Sequence, residues 1–195
     1  MLIIGLTGPK GSGKDTVADL LVGHYQAQWK DVHRLAFADP IKKMIQHIFQ
    51  LDTKLNDEYD KFKRSTIDIF NQDKIMRSVS GRHVVREIGM LMRNYDEKQF
   101  NNYIEDQFKS AHFTKNHVFV ITDLRFDNEY TLLRHWGAKI VKVDRPGYHY
   151  DGHITERGFD DHLVDFNIRN DGSLADLTQS VQDLINNLEK ENKYK

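Results

Sequence analysis

The chain has 195 residues, and its 28 Lys+Arg against 29 Asp+Glu leave a formal charge of -1, so no basic field draws it to polymeric nucleic acid. Hydrophobic residues make up 39% and aromatics 11%, enough to bury a core, and the length suits one domain. With no cysteine, disulfides, thiolate catalysis and Cys-based zinc or iron–sulfur centres are excluded, and no apolar run reaches the ~18 residues of a membrane span.

Helical and extended patterns alternate, which predicts an α/β fold with a mainly parallel sheet of five short strands. Leu2 to Thr7 is a short apolar run closed by glycine, the form of a strand buried on both faces. No basic segment or cleavage site of a signal peptide surrounds it, so a soluble cytoplasmic protein is expected. Lys14 to Trp29 places Val17, Leu20, Leu21 and Tyr25 at helical spacing, and His33 to Phe37 reads as a second strand. Asp39-Pro40 has the form of an N-cap followed by an N1 proline, opening a helix through Ile48. Residues 52–80 are polar and without a clear period, and read as short helices and loops. Helices are expected over Gly81 to Tyr95 and Glu97 to His112.

Val118 to Thr122 is the strongest central-strand signal. A helix from Asp127 to Trp136 should stop at Gly137, followed by a strand over Lys139 to Val143. Arg145 to Gly158 reads as a loop, Phe166 to Arg169 as the last strand, and Leu174 to Leu188 as the closing helix, with Glu189 to Lys195 frayed.

Gly8-Pro9-Lys10-Gly11-Ser12-Gly13-Lys14-Asp15-Thr16 is the most informative stretch. It matches G-x-x-x-x-G-K, with Asp15 where the strict pattern has Ser or Thr. Glycines let backbone N–H groups curl around phosphate oxygens, and the helix that follows adds its partial positive charge. Lys14 would bring a point charge to the β- and γ-phosphates. A carboxylate at position 15 would hold a hydrated Mg²⁺ through water, leaving Thr16 for the α-phosphate. No Asn-Lys-x-Asp base-reading motif occurs, which disfavours a GTP switch.

Asp123 ends the central strand, at the sheet edge where ligands bind, and would stand near Lys14 and any Mg²⁺. Arg125 has two readings, a phosphate clamp or a partner for Glu129. Asp39 either caps its helix or orients the phosphoryl acceptor. Arg82, Arg86 and Arg93 share one helical face, which reads as an anion-binding wall or as a solvated basic face. Asp144 to His153 has the composition of a flap, whose Arg145 could reach a transferring phosphoryl group. His149, His153 and His162 are too irregularly spaced for a metal site.

The loop, together with Phe37-Ala38-Asp39-Pro40-Ile41-Lys42, Ile121 to Glu129, His153-Ile154-Thr155-Glu156 and Asn167 to Leu174, resembles the deoxynucleoside monophosphate kinases of tailed bacteriophages and their bacterial relatives. The resemblance runs in order along nearly the whole chain except residues 52–80. It implies a P-loop kinase fold, with a helical acceptor-binding region over about residues 40–115 and a lid-like flap over about 144–160. The implied reaction moves the γ-phosphate of ATP onto a deoxynucleoside 5′-monophosphate with Mg²⁺, in the cytoplasm of the cell or of a viral host. By resemblance Lys10, Gly11, Ser12, Gly13, Lys14, Asp15 and Thr16 bind ATP, with Asp15 and Asp123 holding Mg²⁺ partly through water. Lys14, Asp123, Arg125 and Arg145 work at the reacting centre, and Asn170 and Gly172 border the adenine. Asp39, Arg82, Arg86, Gly89, Met90, Arg93 and Glu156 form the acceptor site. The chain departs from the family where Leu-Gln-x-x-Gly-Thr-Glu is usual, showing Val85-Arg86-Glu87-Ile88-Gly89-Met90-Leu91, which leaves base preference open.

Three alternatives share the loop. Phosphomevalonate kinase of the animal type and dephospho-coenzyme A kinase are two, and a non-catalytic ATP-binding regulator is the third. Two-fold pairing into a homodimer is common among small enzymes, though no apolar stripe in the sequence marks such an interface.

Overall fold

The apolar run near the N-terminus forms the central strand of a sheet in the computed structural model, which describes residues 1–52, 58–71, 74–111, 116–149 and 159–193. By its internal contacts the chain forms two compact units, Met1–Phe37 with Ile104–Lys195, and Ala38–Tyr103. Among the described residues, no helix is long and apolar enough to cross a membrane.

The first unit holds β1 (Leu2–Thr7), α1 (Lys14–Ala27) and β2 (Asp31–Leu35) before the chain leaves it. Numbering along the chain, it then holds β5 (His117–Ile121), α6 (Asp127–His135), β6 (Lys139–Asp144), β7 (Phe166–Arg169) and α7 (Leu174–Lys193). These strands pair in the order β2-β5-β1-β6-β7, every pair parallel. Because side chains alternate along a strand, Ile4 and Leu6 face one side with Val118, Val120, Val141 and Val143. There they pack on Val17 and Leu21 of α1 and on Val181 and Leu184 of α7. On the other side a Cβ added at Gly5 would stand 2.8 Å from Leu133 of α6, and Phe108 meets Phe119 edge-on at 4.9 Å. Burial on both faces is why these strands read as unbroken apolar runs.

Helix α7 runs to Lys193, past its expected end at Leu188, and residues 194–195 lie outside the described residues. Its last turns are tied down. Glu189 accepts from Gln28 Nε2 at 3.0 Å, and Glu191 pairs with Lys139 at 2.5 Å. Helix α1 ends at Ala27, two residues early, where Trp29 turns to a positive φ of 58°.

The second unit contains α2 (Asp39–Ile48), α3 (Glu58–Arg64), β3 (Thr66–Asn71), β4 (Lys74–Ser80) and α4 (Gly81–Tyr95). It also takes in the start of α5 (Gln99–Ser110). Ala38, not Asp39, is the N-cap of α2, and it makes no side-chain cap bond; Asp39 lies in the first turn. The expectation of short helices and loops over 52–80 is half right. A short α3 forms, but β3 and β4 pair as an antiparallel hairpin, making seven strands among the described residues. A register shift between Ile69 and Phe70 breaks the alternation, and Phe70, Ile75 and Met76 are exposed, so the hairpin lacks a clean two-residue period. In this unit Phe49 and Phe62 pack at 4.6 Å, and Ser80 Oγ caps α4 by accepting from His83 N.

Candidate active site

The carboxyl ends of all five parallel strands lie in the first unit, and the residues that follow them form one connected surface. Leaving β1, the chain makes a loop in which Gly8, Gly11 and Gly13 take φ of 141°, 80° and 103°, values that a side chain would oppose. Space is as restrictive as angle. A Cβ at Gly8 would fall 2.2 Å from the Val143 carbonyl, and one at Gly13 2.4 Å from Asn170 Nδ2. Gly13 is the N-cap of α1 and brings no side chain to the cap, so the first N–H groups of that helix face the loop.

Lys14 folds back over this loop, its Nζ donating to the carbonyls of Gly8 at 2.8 Å and Pro9 at 2.7 Å. Ser12 is fully buried, and its hydroxyl has no hydrogen-bond partner among the described residues. A buried hydroxyl with its donor free, beside the N-terminus of a helix, is suited to an anionic oxygen. Lys10 is exposed at the tip of the loop, and Thr16 is half-buried in the first turn of α1.

Of the other strand ends, those of β6 and β7 brace the loop, and that of β5 braces the segment after β2. After β5, Asp123 Oδ1 accepts from Phe37 N at 2.7 Å, joining the segment after β2 to that after β5. After β7, Asn170 N donates to the Asp144 carbonyl at 2.7 Å, and its side-chain Nδ2 donates to the Ser12 carbonyl at 2.9 Å. After β6, Arg145-Pro146-Gly147-Tyr148 makes a turn closed by Tyr148 N to Arg145 O at 3.1 Å, with Gly147 at φ 81°. The Tyr148 ring lies against Gly11, where an added Cβ would come within 2.5 Å of it. The Arg145 guanidinium stacks on that ring at 4.9 Å.

The structure therefore brings Gly11, Ser12, Gly13 and Lys14 together with Asn170 and with Tyr148, on which Arg145 stacks, whereas Asp123 is bonded to the segment after β2. Asp15 is on the same helix end, but its exposed carboxylate is 2.7 Å from Arg34 Nη2, and Asp19 takes the other nitrogen of that fork. Any water-mediated hold on Mg²⁺ by Asp15 would be shared with Arg34. The oxygen donors available, Ser12 Oγ, Asp15, Thr16 and Asp123, are of the kind that Mg²⁺ selects. Arg125 N donates to the buried Glu129 carboxylate at 2.9 Å, and Phe126 N donates to the same oxygen at 3.1 Å, so Glu129 holds the turn after Asp123. Gly172 lies in the turn before α7, where an added Cβ would crowd Asp176.

In the second unit Arg82, Arg86, Met90 and Arg93 are half-buried along α4. Arg93 lies over the Phe100 ring at 4.5 Å. The close neighbour of Gly89 is Ile41 of α2, 3.0 Å from where a Cβ would stand. Glu156 and most of the expected flap, residues 150–158, lie outside the described residues. Two contributors went unread in the sequence. Arg34 carries no motif, whereas Tyr148 follows a Pro-Gly turn signal that pointed to the turn but not to its contact with Gly11.

A Gly-rich loop between the central strand of a five-stranded parallel sheet and its first helix defines the P-loop kinase fold. The chain aligns with dephospho-CoA kinase from Campylobacter jejuni at a TM-score of 0.52 and 16% identity, covering 97% of this chain and 98% of that one. The family model for deoxynucleotide monophosphate kinase matches residues 69–181. The deoxynucleotide monophosphate kinase of Enterobacteria phage T4 is 26% identical, covering 95% of this chain and 99% of its own. A protein of Acanthamoeba polyphaga mimivirus, provisionally given the same name, is 29% identical over 152 residues, 75% of this chain and 76% of its own. The chain belongs to the deoxynucleotide monophosphate kinase family.

Proposed function

We propose that this kinase moves the γ-phosphoryl group of ATP, with Mg²⁺, onto the 5′-phosphate of a deoxynucleoside monophosphate. The products are the diphosphate and ADP. The observation that carries the reading is the loop: three glycines at positive φ, a buried Ser12 hydroxyl with no partner among the described residues, and Lys14 folded over it. An acceptor phosphate oxygen forms the new bond to the γ-phosphorus, while the bond from that phosphorus to the β–γ bridging oxygen breaks. Such transfer depends on positioning and charge neutralisation rather than covalent work by the protein.

Lys14 would exchange its two loop carbonyls for the β- and γ-phosphate oxygens, and the Ser12 hydroxyl would donate to a phosphate oxygen. Mg²⁺, when bound, supplies neutralisation of charge on the phosphate oxygens, with Asp15 and Asp123 as its protein-side carboxylates. Arg145, Arg125 or one of the α4 arginines would complete the clamp on the transferring group. Asn170 acts by positioning the loop, and Gly172 keeps the following turn narrow beside the adenine. Asp39, Arg82, Arg86, Arg93 and Glu156 are assigned to the acceptor, with Gly89 and Met90 at its base.

A coupled ADP-release assay tests this with Mg-ATP and the four deoxynucleoside monophosphates, their ribo counterparts, phosphomevalonate and dephospho-coenzyme A. Turnover with one or more deoxynucleotides is expected. Turnover confined to phosphomevalonate or dephospho-coenzyme A, or ATP binding with no acceptor-dependent ADP, would overturn the reading.

A further inference from the structure

At the amino end of the β2–β5 pair, away from the phosphate loop, three side chains converge that take no part in the site above. Asp31 and His117 are partners in the parallel register, and His33 lies two residues along β2 on the same face. Asp31 Oδ1 is 3.4 Å from His33 Nε2, and its Oδ2 is 3.2 Å from His117 Nδ1. The two ring nitrogens are 3.1 Å apart. Around a tetrahedral ion with bonds of about 2.0–2.1 Å, neighbouring ligand atoms stand roughly 3.3–3.4 Å apart. The 3.1 Å between the two ring nitrogens is close to such an edge, each nitrogen has one or the other oxygen of Asp31 at a similar distance, and one ligand atom from each residue lies within 4.8 Å of the other two.

The surroundings favour an ion as well. The His33 ring stacks on Phe119 with centroids 4.6 Å apart and planes within 15°, which fixes its orientation. His117 is mostly buried, whereas Asp31 keeps one side open to solvent. One carboxylate with two imidazoles suits a first-row divalent transition metal, while Mg²⁺ prefers an all-oxygen octahedron. Three protein ligands leave a fourth position for water.

We propose that Asp31, His33 and His117 bind one divalent transition-metal ion of the zinc class, clamping the edge strand β2 to β5. Six residues of extended chain, at ~3.3 Å each, separate His117 from Asp123, roughly 20 Å. The ion is therefore distinct from the Mg²⁺ of phosphoryl transfer, and the two assignments stand or fall separately.

The test titrates the full chain with Co²⁺, then displaces it with Zn²⁺, in excess Mg²⁺, following visible Co²⁺ absorption and thermal unfolding. One Co²⁺ per chain is expected, with the absorption of a four-coordinate site. Zn²⁺ at a hundredfold excess over its Kd should raise Tm by roughly 5–10 °C. Loss of an outer-shell partner alone weakens metal sites 10–100-fold, so His117→Gln or His33→Gln should cost ~100-fold or more. Asp31→Asn, which keeps shape and loses charge, should weaken binding in a folded chain, and His135→Gln should leave it unchanged. Absence of saturable binding, or wild-type affinity in both His117→Gln and His33→Gln, would overturn the proposal.

Discussion

Replacing Asn170 separates a role in shaping the loop from a role at the nucleotide base. Its Nδ2 donates to the Ser12 carbonyl at 2.9 Å in a half-buried setting, while its backbone N–H bonds Asp144 whatever the side chain. A hydrogen bond of this kind is worth about 0.5–1.5 kcal/mol net. At roughly 2–4 °C per kcal/mol for a chain of this size, Asn170→Ala should lower Tm by about 1–6 °C. Displacing reacting groups by about 1 Å costs on the order of 100-fold, so kcat/KM for ATP should fall ~10–100-fold. Asn170→Asp is the sharper variant. It puts a carboxylate oxygen where the donor was, opposite the Ser12 carbonyl and beside the phosphate loop, so both Tm and kcat/KM should drop below those of Asn170→Ala. Thermal unfolding by circular dichroism and initial rates across ATP concentration provide the two readings. If the Asp variant matches or exceeds the Ala variant in both, the side chain does not act as a donor to the loop and the reasoning fails.

Lys14→Met should reduce kcat by ~100-fold or more with Tm little changed, since one charge-stabilising donor is lost from the reacting centre; near-normal turnover would contradict its role. Gly81→Ala would drive a Cβ to 2.0 Å from the Phe62 carbonyl, so it should destabilise the second unit by about 1–3 kcal/mol, read as faster hydrogen exchange in α3 and α4. Unchanged exchange there would count against the packing described. Asp176 accepts from Ser173 N and Ser173 Oγ, and these bonds hold its carboxyl below the ordinary 3.8. Since the folded value is the lower one, the stabilisation is present above about pH 4 and disappears as pH falls through the folded value. The Tm gap between the wild-type chain and Asp176→Ala should therefore close on acidification, and a gap that widens in acid would refute the assignment.

What could be read in advance followed from burial on both faces and from glycine. Leu2–Thr7 and His117–Ile121 are apolar between their ends, apart from Gly5, because helices cover both sides, so their runs survive any uncertainty of register. The phosphate loop was legible because its glycines answer to local backbone demands. The β3–β4 hairpin was not, because a bulge at Ile69/Phe70 and exposed apolar residues on its faces erase the alternation that marks a strand. Asp39 looked like a cap because the residue before a helical proline usually is one, yet Ala38 takes the position without a side-chain bond. Arg34 with Asp15, Tyr148 with Gly11, and the meeting of His33 with His117 all join segments distant in the chain. Pairings of that kind belong to the sheet order, which no local pattern encodes.

The loop near the N-terminus owes its form to residues at the other end of the chain. Gly8 is hemmed in by Val143, Gly11 by Tyr148, and Gly13 by Asn170, whose amide also holds the Ser12 carbonyl. All three of these neighbours lie more than a hundred residues further along the chain than the loop they shape. Contacts of such long sequence separation form late in folding. Nucleotide binding is thus a report on completion: a chain truncated before β7, or one whose last strand has yet to pair, carries the whole loop motif and lacks the surface that shapes it.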